Sequence, residues 1–354
     1  MFMGHVLLQH LPNLLIPPQF RTFGIATDFL QAQSLYTVAK LDIADYLGTE
    51  TKTAEELAKL SNVHPESLCR LLRFMVSVGY FTEVDYTTCS FKNNRHSNVL
   101  MKSDPYTMKD VVIHMSDHYA DFTNLLETVK VGAQTQKSKQ YWANLETNAR
   151  MRKTVANAMT QITSMENEII SSDYDFSKFN VIADIGGGNG HYLAYLLKNN
   201  KNMTGVLFDL PRVIEDAKLV WTSELNMTFE RVDMISGSFF DKIPSRTLSD
   251  DRQIDAYIMR SILHDWSDDA SLSILQTVRK AIPKDKVLLI IEIVFDEPYD
   301  YNIAKRRSDT TMQIIGGKER SRSQFERLLS EAGFVLNKVV STRSIHSVVE
   351  AIPK

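Results

Sequence analysis

The ten residues from Val181 to Gly190 constrain the fold more than any other stretch of the chain. An apolar run ends at Asp184, four glycines follow within five positions, and an apolar helical pattern begins at His191. This order predicts a buried strand, a tight turn and the start of a helix, which is the βα unit where nucleotide-like ligands bind. Glycines at such a turn let the backbone approach a ligand that a Cβ atom would repel.

The glycine pattern is Gly-x-Gly-x-Gly, one residue shorter than the turn that clasps a pyrophosphate. The next apolar segment, Gly205–Phe208, runs into Asp209, which is spaced to hold ribose hydroxyls. A ligand that carries a ribose but needs no phosphate clasp favours S-adenosylmethionine over NAD. An NAD-dependent oxidoreductase of Rossmann topology stays open as the alternative.

The length and composition predict an ordinary globular chain of two domains, because 354 residues are more than a single hydrophobic core usually organises. A formal net charge of −3 gives no reason to expect nucleic acid or an anionic membrane as a partner. No stretch approaches the roughly 20 apolar residues of a membrane span. Cys69 and Cys89 make no disulfide framework and lack metal-ligand spacing. We therefore expect a cytoplasmic protein.

Residues 1–105 are predicted to form a winged-helix-like dimerisation domain, with residues 1–16 as an arm that packs on a neighbour. The expected elements are a helix, a capping-box helix, a helix opened by proline and a hairpin, at Phe23–Leu47, Thr53–Leu60, Pro65–Val78, and Phe81–Val84 with Ser90–Lys92. DNA binding is disfavoured, because residues 39–92 hold six basic and eight acidic side chains. A catalytically silent dimeric winged-helix binding protein is the second alternative.

Residues 106–354 are predicted to contain helices that form a substrate pocket, followed by the catalytic domain. Two amphipathic helical stretches come first, Lys109–Val131 and Leu145–Ile170. Strands then alternate with helices, at Val181–Asp184, Gly205–Phe208, Phe229–Val232, Asp255–Met259, Val287–Ile293, Phe334–Val340 and Ile345–Ala351. The last two are too close for a parallel crossover and must pair antiparallel. This predicts an α/β fold with a doubly wound, Rossmann-like methyltransferase sheet whose last strand is antiparallel.

Four segments together resemble the metal-independent S-adenosylmethionine-dependent O-methyltransferases of small aromatic hydroxyls, such as the caffeate, flavonoid, acetylserotonin and polyketide enzymes. They are Asp184–Gly190, Phe208–Ile214, Leu263–Asp269 and Gly316–Arg320, and the third, with His-Asp-Trp-Ser-Asp, is the most specific. The likeness includes the winged-helix segment and so covers most of the chain. It implies a homodimer, a small hydroxylated aromatic substrate, S-adenosylmethionine as methyl donor and no metal.

The resemblance also carries roles onto matching positions. His264 is expected to be the catalytic base, with Glu292 and Glu319 beside it, one of which orients the imidazole. The methyl donor is expected to bind Asp184, Gly186, Gly188, Asp209, Leu210, Ser238, Phe239 and Arg260, with Asp209 on the ribose. Plant members usually carry an acid at the position of Ser238 and Lys at that of Arg260. The substrate is expected to contact Val155, Met159 and Asp265.

The residues support this chemistry independently of the resemblance. Neutral histidine is the side chain whose usual pKa suits removal of a phenolic proton near pH 7. His264 follows the predicted strand Asp255–Met259, and Glu292 lies at the end of the next strand, so both should lie at the ligand-binding edge of the sheet. His114 and His118 have the spacing of a metal pair, but a third ligand is missing nearby.

Overall fold

The computed structural model describes residues 16–117, 119–123, 125–132, 144 and 147–354. The chain divides into two compact units, residues 1–118 and 119–354. The helix Lys109–Asp117, predicted to belong to the second domain, lies in the first unit, where Asp117 pairs with Lys40 at 3.2 Å. The predicted arm at residues 1–16 lies outside the described residues except for Ile16, and so does His118 of the possible metal pair.

The first unit packs helices against a small antiparallel sheet of strand order β1-β3-β2. Its helices are α1 (Pro18–Thr27), α2 (Phe29–Lys40), α3 (Ile43–Leu47), α4 (Ala54–Ser61), α5 (Pro65–Ser77), α6 (Arg95–Asn98) and α7 (Lys109–Asp117), and its strands are β1 (Lys52–Thr53), β2 (Thr82–Asp85) and β3 (Ser90–Lys92). Leu57, Leu72 and Phe91 are fully buried at its centre. The predicted order of helix, helix and hairpin is confirmed.

The single helix predicted over Phe23–Leu47 is wrong, because the chain breaks at Asp28 and again before Ile43. Asp42 adopts a φ of 56°, which no helix interior allows. Its carboxylate binds Lys102 at 3.1 Å and also Lys109, a buried cation from α7. Contacts with residues far along the chain therefore override the local helical pattern.

Cys69 of α5 and Cys89 beside β3 form a disulfide, with Cα atoms 6.1 Å apart. The expectation that these cysteines make no disulfide framework is therefore wrong for this pair. The reason is tertiary, because the fold brings positions separated by 20 residues within the distance that a disulfide spans. Sequence spacing alone did not indicate it.

The second unit is the predicted doubly wound sheet with helices on both faces. Its helices are α8 (Tyr119–Phe122), α9 (Leu125–Val131), α10 (Ala149–Asp173), α11 (His191–Asn199), α12 (Pro211–Ser223), α13 (Asp268–Ala281), α14 (Ile303–Ile315) and α15 (Arg322–Glu331). Its strands are β4 (Val181–Ile185), β5 (Thr204–Asp209), β6 (Val232–Ser236), β7 (Ala256–Arg260), β8 (Val287–Phe295), β9 (Arg320–Ser321), β10 (Phe334–Ser341) and β11 (His346–Pro353).

The main sheet has the strand order β10-β11-β8-β7-β4-β5-β6, with the short β9 paired to β8. Strands β4 to β8 pair in parallel, whereas β11 is antiparallel to both β8 and β10. The predicted antiparallel last strand is thus confirmed. Apolar clusters cover both faces, one including Met259 and Phe325 and the other including Leu193 and Trp221.

One predicted strand boundary shifts along the chain. The strand predicted at Phe229–Val232 instead runs over Val232–Ser236, where Val232 pairs with Gly205, and the Phe229 side chain is 48% exposed. Within the predicted helical stretch Lys109–Val131, the described residues 109–117, 119–122 and 125–131 are helical. No helix in the described part of the chain is long and apolar enough to cross a membrane.

Candidate active site

The glycine turn after β4 forms a cradle that only glycine can line. Gly186, Gly188 and Gly190 have φ values of 73°, 57° and 79°, which other residues rarely adopt. A Cβ atom on Gly186 would lie 2.5 Å from Cδ1 of Ile262, whereas one on Gly188 would meet no atom within 4 Å. The turn therefore brings its backbone up to open space.

Asp209 is tied directly to this turn. Its Oδ2 accepts the backbone N–H of Gly188 at 2.9 Å, and its Oδ1 accepts that of Leu210 at 2.7 Å. Burial raises the pKa of Asp209, although these two N–H donors act to lower it. Each carboxylate oxygen keeps a further lone pair, so the side chain can still accept hydrogen bonds from ribose hydroxyls.

Asp184 lies beneath the turn with a carboxylate oxygen that has no partner. It is 2% exposed, and its Oδ2 accepts no hydrogen bond. Burial raises the pKa of Asp184 to about 7, while the charge of Arg260 opposes the rise. A buried acceptor without a donor is costly unless a ligand supplies one. Together with the cradle and Asp209, it fits a ligand that offers a ribose and further N–H or O–H donors.

Ser238 and Phe239 follow β6 on the other side of the turn. The Phe239 ring would lie 3.7 Å from a Cβ atom on Gly186, and it packs edge-on against Trp266 with centroids 6.2 Å apart. The Ser238 hydroxyl accepts the N–H of Phe240 at 3.1 Å. Phe239 therefore borders the cradle with an apolar face, while the Ser238 oxygen is engaged locally.

Arg260, at the end of β7, directs its side chain to helix α10. Its Nη1 donates to Asn167 Oδ1 at 2.6 Å, its Nη2 donates to the carbonyl of Thr163 at 2.9 Å, and the guanidinium lies 4.5 Å from the centre of the Tyr192 ring. These contacts engage both terminal nitrogens, whereas the buried Nε has no hydrogen-bond partner among the described residues. The expected contact of Arg260 with the methyl donor can therefore involve its backbone or Nε.

His264 lies in a short 3-10 turn, Leu263–Asp265, just beyond the end of β7. Its Nδ1 is 3.0 Å from Glu319 Oε1, and its Nε2 is 3.5 Å from Asp265 Oδ1. Glu319 Oε1 also accepts the hydroxyl of Ser308 at 2.7 Å. With Nδ1–H donated to Glu319, the lone pair of Nε2 is the one that can accept a proton.

The charges around His264 favour its protonated form. Burial by itself lowers the pKa of His264, but the carboxylates of Asp265, Glu319 and Glu292 outweigh it and raise the pKa to about 10. Burial also raises the pKa of Asp265, to about 6. Burial acts to raise the pKa of Glu319 as well, but the hydrogen bond and charge of His264 hold it below its usual value. His264 and Glu319 therefore favour each other's charged form.

Glu292 contacts the backbone of the His264 turn rather than its imidazole. The side chain is 1% exposed, and its Oε1 accepts the N–H groups of Ile262, Leu263 and His264 at 3.2, 2.6 and 3.2 Å. Burial raises the pKa of Glu292. Of the two glutamates that the sequence left undecided, Glu319 is the one in contact with the imidazole.

Helix α10 carries the two residues expected to line the substrate pocket. Val155 is half-buried, and Met159 is 39% exposed. The next residue, Thr160, lies 3.3 Å from Nδ1 of His191, which opens α11 directly after the glycine turn. The helix therefore reaches the donor cradle, and His191 is a neighbour that the sequence analysis did not single out.

Two further residues of the site were missed. Ser308 donates to Glu319, and no sequence pattern indicated it. Arg320 is completely buried, and a charged residue at the end of the Gly-Gly-Lys-Glu-Arg segment could have signalled it. In the described part of the chain, no group of three or more His, Cys, Asp or Glu side chains is arranged to hold a metal ion.

Comparison with known proteins matches both units of the chain to family models. Residues 106–335 match an O-methyltransferase domain, and residues 23–103 match an O-methyltransferase dimerisation domain. A phenazine O-methyltransferase of Lysobacter antibioticus is 30% identical over 332 residues, which cover 92% of this chain and 94% of the relative. An O-demethylpuromycin-O-methyltransferase of Streptomyces alboniger is 28% identical over 346 residues, covering 95% and 89%. The crystal structure of LaPhzM superposes with a TM-score of 0.88 at 30% identity, covering 96% of this chain and all of that one.

Proposed function

Because this chain belongs to the family of S-adenosylmethionine-dependent O-methyltransferases of small molecules, we propose that it methylates a phenolic or similarly acidic hydroxyl of a small aromatic or polyketide-type compound. His264 is the general base in this proposal. The observation that carries it is the 3.0 Å contact between His264 Nδ1 and Glu319, at the same sheet edge as the glycine cradle.

The residues of the cradle hold the methyl donor. S-adenosylmethionine, when bound, supplies a methyl group made electrophilic by the sulfonium. Asp209 takes the ribose hydroxyls, and Gly186 and Gly188 admit the ligand to the backbone. Phe239 packs on the adenine, and Leu210, which is 48% exposed, borders it with Ser238. Asp184 offers its unpartnered oxygen to a donor group of the ligand, and Arg260 contributes through its backbone or through its unpartnered Nε.

His264 removes the proton of the acceptor hydroxyl at Nε2. Glu319 accepts the Nδ1–H, which fixes the tautomer and the direction of the ring. Glu319 and Asp265 then stabilise the imidazolium that forms. Because the pKa of His264 is high in the free protein, the imidazole must first lose its proton. The sulfonium of S-adenosylmethionine, when bound, would place a positive charge in the same site. That charge would favour loss of the proton to solvent, since a nearby like charge lowers the pKa of a protonated base.

The acceptor lies between helix α10 and His264. Val155 and Met159 provide adaptable apolar surface, which suits a flat aromatic compound because the thioether is soft and its side chain flexible. Asp265 lies beside Nε2 at 3.5 Å and so can contact the acceptor hydroxyl. The polar end of the substrate would thus meet His264 and Asp265, and its ring would meet α10.

The protein acts as a homodimer through its first unit, residues 1–105 in the predicted division. Phe20, Phe23 and Ile25 on α1 are 66%, 69% and 63% exposed, and α1 has no buried residue. Such an apolar surface is typical of an interface. The match of residues 23–103 to a dimerisation domain supports the same assignment. Independence from metal, the absence of nucleic-acid and membrane partners, and a cytoplasmic location stay predictions from the sequence.

The test is methyl transfer from labelled S-adenosylmethionine to a panel of phenols in the presence of a chelator. We expect the wild-type protein and the His96→Ala control, a change at an exposed histidine of the first unit, to be active. His264→Ala should lose about 10²–10⁴-fold in rate while still binding S-adenosylhomocysteine in a thermal-shift assay. Full activity of His264→Ala would remove the base, and stabilisation by NADH instead of S-adenosylhomocysteine would favour the oxidoreductase.

A further inference from the structure

Arg320 reaches the backbone on both sides of His264. The side chain is 0% exposed, and its Nη1 donates to the carbonyl of Leu263 at 2.7 Å. Its Nη2 donates to the carbonyl of Trp266 at 2.9 Å and to the hydroxyl of Ser271 at 3.0 Å. The guanidinium therefore contacts the residue before His264 and the second residue after it.

The same turn is held by other contacts as well. The Lys318 N–H donates to the carbonyl of His264 at 2.8 Å, and Glu292 accepts the three N–H groups at the start of the turn. The residue that leads into it, Ser261, has a φ of 54°, a left-handed conformation that a serine keeps only where its surroundings fix it. Most backbone polar groups of the turn are thus engaged by buried charges or by the segment that carries Glu319.

A buried guanidinium is not explained by the stability of the core. Burying a cation is costly unless its donors are satisfied, and an apolar side chain of similar volume would often serve a core as well. Besides the hydrogen bonds described above, Arg320 Nε donates to Asp268 Oδ1 at 3.0 Å. The planar fork fixes the directions of these bonds, which a flexible ammonium does not. The arrangement therefore specifies a position for the turn.

We propose that Arg320 is a positioning residue for the base: it fixes the Leu263–Trp266 backbone so that the imidazole of His264 stays on Glu319 and aimed at the acceptor. The inference rests on the proposed function, since it assigns a role relative to His264 as base. It also gives related roles to Glu319 and Arg320, which are adjacent in the sequence. Glu319 contacts the imidazole of His264, and Arg320 contacts the backbone on both sides of it.

This role predicts a specific kinetic signature. Misplacement of a catalytic group by about 1 Å can cost about 10²-fold in rate. The carboxylates assigned to the methyl donor, Asp184 and Asp209, lie on β4 and β5, and Arg320 bonds to neither strand in the described structure. Phe239, also assigned to the donor, meets the turn edge-on, through the Trp266 ring at 6.2 Å between centroids. Loosening the turn should therefore lower kcat much more than it lowers the affinity for the donor.

The experiment compares Arg320→Met and Arg320→Lys with the control Arg327→Met. Arg327 also lies near Asp268, at 3.7 Å, but its side chain is 62% exposed, and among the described residues it forms no ion pair or hydrogen bond with the turn. We expect Arg320→Met to lose about 10²-fold in kcat with S-adenosylhomocysteine affinity within about threefold of wild type. Arg320→Lys should recover part of the loss, and Arg327→Met should equal wild type.

Ser271→Ala provides a milder variant in case Arg320→Met does not fold. Its hydroxyl links Arg320 to the carbonyl of Leu263, at 3.2 Å, so its loss should lower kcat severalfold at constant donor affinity. A folded Arg320→Met with wild-type kcat would overturn the proposal, as would a parallel loss of kcat and donor affinity. If Arg320→Met does not fold, a wild-type kcat for Ser271→Ala would overturn the proposal instead. A wild-type protein inactive on every phenol would instead contradict the proposed function.

Discussion

Replacing Glu319 by glutamine removes a charge beside His264 while keeping the shape of the contact. The amide oxygen of glutamine can still accept the Nδ1–H and the hydroxyl of Ser308, which now bind Glu319 Oε1 at 3.0 and 2.7 Å. The electrostatic support of the imidazolium is lost, and the amide nitrogen takes the place of Oε2, a buried atom without a hydrogen-bond partner among the described residues. Because that support raises the pKa of His264, the substitution should lower it.

The size of the shift follows from the separation of the two charges. Unit charges about 4 Å apart interact by about 4 kcal/mol at an effective dielectric constant of about 20. Since about 1.4 kcal/mol corresponds to a tenfold change in proton affinity, removing this attraction alone would lower the pKa of His264 by nearly three. Asp265 and Glu292 remain and continue to raise the pKa of His264. We therefore expect a fall of about one to three units, the range seen when a charged partner within about 4–6 Å is removed.

The assay is kcat/KM for a phenol against pH at saturating methyl donor. A base is active when unprotonated, so a lower pKa moves the acidic limb of the profile to lower pH. The plateau rate should fall, because a weaker base and an unsupported imidazolium both slow proton transfer. Glu326→Gln, the same change at an exposed position on α15, is the control and should leave the profile in place. An acidic limb that stays where it is, or moves to higher pH, would refute the assignment of Glu319 as the partner of the base.

Three other substitutions test the donor site, the acceptor site and the fold. Gly186→Ala should weaken donor binding more than tenfold, because the φ of Gly186 is 73° and an added Cβ would lie 2.5 Å from Ile262. The control Gly24→Ala, where an added Cβ would meet no atom within 4 Å, should leave donor binding unchanged. Calorimetric titration with S-adenosylhomocysteine measures both affinities. Met159→Ala should change KM for the acceptor several-fold and leave the donor affinity alone, which steady-state kinetics with each substrate varied in turn would show. Trp221→Ala should lower the free energy of unfolding by about 3–5 kcal/mol, since Trp221 is 0% exposed, and urea titration measures the loss.

Local sequence patterns correctly predicted those elements whose structure is determined by residues close together in the sequence. The apolar run and glycines of Val181–Gly190 predicted β4 and its turn, and the pairing of Thr53 with Glu56 predicted a capping box that the structure confirms at 2.7 and 3.2 Å. The antiparallel last strand followed from a linker too short for a crossover. In each case the determining residues lie within a few positions of one another.

Contacts between distant parts of the chain could not be read in this way. The break at Asp42 depends on Lys109, 67 residues away, and the disulfide depends on how α5 packs against the hairpin. The sequence placed Glu292 at the correct sheet edge but could not show that its carboxylate faces backbone N–H groups. That outcome depends on the path of the chain after Arg260, where Ser261 turns with a positive φ.

The position of β11 sets the order in which the catalytic unit can be completed during synthesis. This strand is made after every other strand of the sheet, yet it lies between β8 and β10 and bonds to both. Until β11 has been made, residues 288–293 of β8 have an unpaired hydrogen-bonding edge, next to the short pairing with β9, and β10 has no neighbouring strand. Nascent chains that carry every residue of the glycine cradle, His264 and Glu319 therefore still expose an edge prone to aggregation. A chain that ended a few residues before residue 346 would contain all of these site residues but lack the strand that joins β8 to β10.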